Sequence, residues 1–560
     1  MQSQYSDVDP DAGRPQPCYD ENEARIVAGL FDPAYYLAAN PDVRESKIDP
    51  LAHFLSTGWR EGRNPSPDFN VAYYLKRNAD VAASGINPLI HYAWAGAKEG
   101  RLPRRPLDAM RGVLESLRPP SARAGDWVPA IDPTAPLDRS VLARRLASVI
   151  AAGSALAVSV SHDDYERNFG GVQNVIRHEQ IAFRQMHWSY LHLSPAVPLP
   201  ILAGTASAAD FRFSIRLGND WLGVARATDL IACLTELGGN DRMILLIVHH
   251  FLGHAPEVLR QLAQVAADPV IVWTHDYFTL CPSFNLLRND VRFCGAPPVV
   301  SAACGICAYG PERVDHLTRI RGFFDAVRPV VLAPSAAALD LWERKADLPY
   351  REAHVRPLAR LTFAPGAPRP TRDDPTQPIR VAHVGMRTVP KGWPIFQELA
   401  QRFARHPDYA FFQLGTPRGV PLPGSIRNIE VQTSREQPDA MIEAIAAHAI
   451  DVVVSWSLWP ETFCLAAHEA LAAGAFVVAR RGAGHIATAI ETNAPEQGHV
   501  VQDEASLFAL FEDGGLKRLL ATAQRRRGVL IAESGSTPWA RRSFRDWDRL
   551  RSEQPAVVYD

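Results

Sequence analysis

No apolar run in this 560-residue chain approaches the roughly 20 residues that a bilayer-spanning helix needs. The longest, MILLIV at 243–248 and PVVLAP at 329–334, are far too short. The first residues, MQSQYSDVDPDAG, are polar and acidic, unlike the basic and then apolar start of a signal peptide. Formal net charge is −2, so no global basic field points to nucleic acid. Cysteine is sparse as well, and Cys18, Cys233 and Cys464 are scattered. The expected location is therefore the cytoplasm. What is present is ordinary for globular protein: 47% hydrophobic and 21% charged residues supply ample material for a core. Length alone points to about three or four domains.

The chain opens with a repeat. FDPAYYLAANPDV begins at Phe31 and FNVAYYLKRNADV at Phe69, a period of 38 (69 − 31). Tyr35/Tyr73, Tyr36/Tyr74, Asn40/Asn78, Asp42/Asp80, His53/His91, Gly58/Gly96 and the EGR triplets at Glu61 and Glu99 all superpose. Apolar residues at helical spacing, broken by Pro and Gly, predict two small helical modules whose aromatics serve packing. The expected layout is a disordered tail over 1–29, the repeats over 30–105, and a Pro-, Arg- and Ala-rich linker over 106–150.

Beyond residue 150 short apolar runs alternate with helical stretches, the pattern of parallel sheets covered by helices. ALAVSVS (155–161), MILLIVHH (243–250), VIVWTHD (270–276) and VVLAPS (330–335) mark a first Rossmann-like domain over 151–362. FAPGAPRPTRDDPTQP reads as a Pro-rich hinge over 363–378. IRVAHVG (379–385), AFFQLG (410–415), IEVQ (429–432), IDVVVSW (450–456) and AFVVA (475–479) mark a second over 379–535. The tail, 536–560, could close back onto the first domain as a crossover helix. The fold class is thus α/β, with two doubly wound domains, a small helical repeat region, and a cleft at the strands' carboxyl ends.

The most informative run is WPETFCLAAHEALAAGAFVVA, with Glu461 and Glu469 eight positions apart. Pro460 suits a first helical turn, Gly474 a helix stop, and Phe476 onward a buried strand. Eight helical residues rise roughly 12 Å. One carboxylate could then hold a sugar and the other a ribose, with the helix N-terminus facing a diphosphate. The run resembles the E-x7-E signature of the retaining family 4 glycosyltransferases, of GT-B architecture. The resemblance spans about residues 155–535, and FDPxYYLxxNPDV repeats resemble appendages found beside bacterial polysaccharide glycosyltransferases.

That resemblance implies a nucleotide-sugar-dependent glycosyltransferase of hexosyltransferase type, building bacterial surface polysaccharide on a glycan or lipid-linked acceptor. A lipid-linked acceptor would bring peripheral contact with the inner membrane. Glu461 would bind the transferred sugar and Glu469 the ribose, with Thr462 and Phe463 beside them. Gly170-Gly171 in NFGGVQNVIRHE would let amides approach an anion, and His275, after the strand VIVWT, would face the cleft. His162 in SVSHDD is a weaker candidate for the same role. Gly385, Lys391 and Gly392 in HVGMRTVPKGWP match the family's cationic loop, whereas Arg387 falls one position late. Lys391 and Arg387 would stabilise the departing diphosphate. The resemblance implies no catalytic metal, and no DxD run marks a metal site of the other main glycosyltransferase fold. The usual acid of the turn at GAGHIATAI (482–490) is missing, so the sugar pocket, with Trp456, Trp459, His485 and Ile486, is left open.

Four cysteines remain: Cys281, Cys294, Cys304 and Cys307, with 12, 9 and 2 residues between them. A CxxC with two more cysteines suits zinc better than disulfides in a cytosolic chain, but this is no zinc-finger spacing. Structural zinc and buried or redox-active thiols both stay open. The rival from another class is a catalytically decayed scaffold whose repeats recruit a partner. A hydrolase is disfavoured, because carboxylates two helical turns apart exceed the roughly 5–9.5 Å that glycosidases use.

Overall fold

The computed structural model describes residues 20–552, apart from 67, 100, 106–107, 128–133, 151–154, 169, 205–208, 240–241, 364–376 and 417–421. Most of the expected tail over 1–29 and of the hinge over 363–378 lies outside the described residues. The chain divides into two compact units: Met1–Gly112 with Gln397–Phe411 and Gly419–Arg427, and the remainder.

In the first unit each repeat folds the same way. Helices Pro33–Ala39, Pro41–Ser46 and Pro50–His53 are followed by a π-turn over Phe54–Gly58. Val71–Arg77, Ala79–Ser84, Pro88–His91 and Tyr92–Gly96 reproduce the series. The superposed residues are the joints. Tyr36 and Tyr74 are fully buried and hydrogen-bond His53 Nδ1 and His91 Nδ1, each at 2.9 Å. A Cβ on Gly58 would lie 2.1 Å from the Tyr36 hydroxyl oxygen, and one on Gly96 2.0 Å from that of Tyr74, so only glycine fits. Arg63 pairs with Asp42 and Arg101 with Asp80, at 2.8 and 2.7 Å. Both copies share one apolar cluster built on Phe31, Tyr36, Phe54, Phe69, Tyr74 and Tyr92.

In the second unit, helix Arg139–Val149 precedes the first large sheet. Its strands are β1 Leu156–Val160, β2 Ser189–Pro195, β3 Arg212–Leu217, β4 Asp220–Arg226, β5 Ile244–Val248 and β6 Ile271–Trp273. After a hairpin of β7 Leu287–Arg288 and β8 Arg292–Phe293 come β9 Val330–Ala333 and β10 Glu352–Val355. The order is β10-β9-β6-β5-β1-β2-β3-β4. The strands from β10 to β2 run parallel, whereas β2–β3 and β3–β4 are antiparallel. The central parallel strands β1, β5, β6 and β9 are buried, nearly continuous apolar runs, as burial on both faces demands, whereas the edge strand β10 is half-buried. The antiparallel edge was absent from the sequence reading because SYLHLSP, RFSIRL and DWLGVAR mix charge, serine and glycine into the apolar pattern.

β11 Ala359–Thr362 leads to the second sheet: β12 Ile379–Val384, β13 Tyr409–Gly415, β14 Ile426–Glu430, β15 Val452–Ser455, β16 Phe476–Arg480 and β17 Gly498–Val501. Their order is β14-β13-β12-β15-β16-β17. The expected strand at IEVQ lies three residues earlier, at Ile426–Glu430. β18 Val529–Ala532 then pairs antiparallel with β11. The final helix, Thr537–Ser552, sets Trp539, Ala540, Phe544 and Trp547 into the core of the first sheet. The Trp273 indole N–H donates to Ser536 Oγ at 2.9 Å, fixing the same junction. The chain is therefore α/β with two Rossmann-like domains. Among the described residues no helix is long and apolar enough to cross a membrane.

Candidate active site between the two sheets

The residues of the site all belong to the second unit. After β12 the chain turns through Gly385, with φ +101°, into a single 3-10 turn, Val389–Lys391. Gly392 ends that turn with φ +75°, and a Cβ there would lie 1.7 Å from the Trp456 carbonyl oxygen. The glycine thus lets the cationic loop press onto the end of β15. Burial opposes the Lys391 ammonium, but the neighbouring Glu461 carboxylate outweighs it and holds its pKa above the usual value. Lys391 Nζ donates to Glu461 Oε1 at 2.8 Å. Arg387 lies on the same loop, its pKa lowered by partial burial. Burial, with Lys391 and then Arg387 nearby, pushes His383 down to about 4.

The E-x7-E run folds differently from the expectation. Its helix is Leu465–Ala473, capped by Cys464, so Pro460 and Glu461 stand outside it. The five residues from 460 to 464 are used in contacts instead. The Tyr277 hydroxyl donates to the Pro460 carbonyl at 3.0 Å, and the Thr462 hydroxyl donates to the His275 carbonyl. The Glu461 N–H donates to Ala483 O at 3.1 Å, and the His485 N–H to Glu461 O at 2.9 Å. Gly484, at φ +69°, permits that bridge, because a Cβ would lie 2.6 Å from the Glu461 carbonyl oxygen. Tertiary contact overrides the proline signal here. The 12 Å helical separation, and the case it made against a hydrolase, therefore fall away. Gly474 stops the helix in the left-handed conformation, as the sequence indicated.

Glu469 sits in the second turn of the helix and has no hydrogen-bond partner among the described residues. Burial, and secondarily Asp439, raises its pKa to about 7. The helix start has no side-chain cap hydrogen bond, and unpaired N–H groups at a helix N-terminus suit an anion. Phe463 stacks on His468 and His485, with ring centroids 4.4 and 4.9 Å away. Both ring nitrogens of His485 are buried without hydrogen-bond partners among the described residues, at the turn where an acid was expected.

From the first sheet, Gly170 and Gly171 open the helix Gly171–Gln185. A Cβ on Gly170 would lie 2.4 Å from Gln173 Oε1. Gln173 Nε2 lies 3.2 Å from His162 Nε2 and donates to Asp163 Oδ1 at 2.9 Å, so His162 is engaged in this loop. His275 lies just beyond β6, its Nε2 3.0 Å from His249 Nδ1. Burial, then His249, His250 and His162, holds its pKa well below the usual histidine value. Sequence reasoning assigned nothing to His249, Glu179 or Tyr277. The signal for His249 was its place at the carboxyl end of β5, beside β6 and His275.

The four cysteines do converge, on a cavity of about 20 Å³ that Arg313 also lines. The zinc reading is not supported: no group of three or more His, Cys, Asp or Glu among the described residues could hold a metal ion. Arg313 supplies a cation already, its Nη1 donating to Cys304 Sγ at 3.0 Å. Burial pushes Cys281 to about 12 and raises Cys294, which disfavours a free thiolate at both.

No family model and no curated protein matches the chain. Among solved structures, Anabaena Alr3699/HepE in complex with UDP-glucose is 13% identical, with TM-score 0.39, covering 71% of this chain and 100% of its own. A glycosyltransferase from Rickettsia africae ESF-5 is 10% identical, with TM-score 0.42, covering 72% and 100%. WaaG, a glycosyltransferase involved in lipopolysaccharide biosynthesis, is 11% identical, with TM-score 0.36, covering 71% and 95%. Likenesses this loose carry no argument, so the functional reading rests on the site itself.

Proposed function

We propose that the chain is a retaining GT-B glycosyltransferase that moves a hexose from a nucleotide sugar to a glycan or lipid-linked acceptor in cytoplasmic assembly of bacterial surface polysaccharide. The observation that carries this reading is the juxtaposition of Lys391, Glu461 and an uncapped helix start, with an unpartnered carboxylate, Glu469, one turn further on. A nucleotide sugar offers a group to each. Its diphosphate suits Lys391, Arg387 and the open amides, and its two hydroxylated rings suit the two carboxylates.

In the reaction the sugar's bond to the β-phosphate oxygen breaks while the ring gains oxocarbenium character, the acceptor's hydroxyl oxygen bonds to the same face of the reacting carbon, and its proton passes to the departing phosphate. Negative charge grows on the departing phosphate, where Lys391 and Arg387 oppose it. Glu461 holds the ring's hydroxyls and so fixes the reacting carbon beside the acceptor. Glu469 accepts from the ribose hydroxyls. Neutral His275, from the other sheet, meets a hydroxyl without adding charge.

Calorimetry against a panel of UDP-, GDP- and dTDP-sugars tests the reading, with Glu469→Ala alongside. Binding of one donor, lost in the variant, is the expected result. No binding across the panel would overturn it.

A further inference from the structure

Three buried groups that play no part in donor binding as described form a directional chain behind His275. Glu179, two turns along the helix that Gly171 opens, is fully buried, and His249 is 1% exposed. Glu179 Oε1 accepts from the Tyr190 hydroxyl at 2.9 Å and lies 3.1 Å from His249 Nε2. His249 Nδ1 in turn lies 3.0 Å from His275 Nε2. The rings of His249, His275 and Trp273 lie in near-parallel planes, within 9° of one another, so His275 has little freedom to rotate. His275 Nδ1 is buried and has no hydrogen-bond partner among the described residues. The His275 carbonyl takes the Thr462 hydroxyl, which places the residue beside Glu461.

Hydrogen-bond chemistry sets the sense of the chain. A carboxylate only accepts, so His249 must carry its proton on Nε2. An imidazole with a single proton that donates from Nε2 accepts at Nδ1, and the partner 3.0 Å from that Nδ1, His275 Nε2, is then the donor. What remains at the outer end is an unprotonated Nδ1 on His275. We infer that Glu179 and His249 are positioning residues that lock His275 as the Nε2–H tautomer, holding its Nδ1 as an acceptor for a hydroxyl of the transferred sugar or of the acceptor. This role rests on the transferase reading; the lock itself does not.

Long-range nitrogen–proton correlation spectra of the full chain labelled with 15N-histidine read the tautomer directly, with His275 assigned by its loss in His275→Gln. The expected wild-type result is an unprotonated Nδ1 on His275. Glu179→Gln, and His249→Phe as a second variant that keeps the ring and its stack, are expected to mix the tautomers. Tyr190→Phe removes only the other donor to Glu179 and should leave the tautomer fixed. In turnover, Glu179→Gln should lower kcat about ten- to hundredfold with donor KM little changed, and Tyr190→Phe should not. A proton on His275 Nδ1 in the wild type overturns the inference. So does an unchanged tautomer in Glu179→Gln, or an equal loss of kcat in Tyr190→Phe, which would mark a merely structural role. Wild-type protein inert towards every donor would count against the transferase reading alone, leaving the spectra to decide the lock.

Discussion

Donor affinity should depend on pH through Glu469. Burial raises its pKa from 4.5 to about 7 in the empty site. A carboxylate that accepts from ribose hydroxyls binds best when ionised, so the donor must first expel the proton. With a pKa near 7, the ionised fraction falls from about 0.9 at pH 8 to about 0.1 at pH 6, so Kd should rise about tenfold across that interval. Linkage gives stability the matching sign. The folded-state pKa lies above the unfolded value, so the protonated form favours folding, and that contribution is lost as pH rises through about 7. Glu469→Gln should therefore have the higher Tm at pH 8 and match the wild type near pH 5. Calorimetry at both pH values reads the affinity, and thermal unfolding reads the stability. A Kd independent of pH, or the same slope in Glu469→Gln, would refute the reasoning.

Other substitutions probe the remaining joints. Lys391→Met leaves the buried Glu461 carboxylate without its cation, so stability should fall by about 1–3 kcal/mol and donor affinity at least about tenfold, as read by denaturant titration and calorimetry. Gly96→Ala forces a methyl against the Tyr74 hydroxyl and breaks its bond to His91. The repeats should lose about 1–3 kcal/mol, read by amide hydrogen exchange over residues 71–99. Tyr277→Phe frees the Pro460 carbonyl that anchors the stretch before the helix, so kcat/KM should fall while the melting temperature moves little.

The sequence disclosed the parallel core because those strands are unbroken apolar runs between glycine- and proline-bearing turns. It disclosed the Gly58 and Gly96 joints as well, since a residue invariant between two copies of one module is visible without a structure. It misplaced the start of the helix at Pro460 because proline satisfies a first turn and a tight loop equally well. Only the partners, Tyr277, His275 and Gly484, decide between the two, and they lie far away in the chain. Glu179 was hidden for the same reason: nothing local ties a glutamate inside an amphipathic helix to a histidine 70 positions later. The cysteines left zinc and free thiols both open, because the sequence cannot show that Arg313 reaches Cys304.

The bond between Lys391 and Glu461 lets the two charges neutralise each other, and on the proposed reading this turns ligand capture into an exchange. A diphosphate that drew Lys391 away on its own would strand a buried anion, whereas one carrying a hydroxylated ring gives Glu461 new donors in the same event. On the proposed reading, the pair therefore acts as a discriminator. The intact nucleotide sugar satisfies both halves, and the spent nucleotide satisfies one. On that reading product release would be coupled to the return of lysine to glutamate, a spring that resets the site after each transfer.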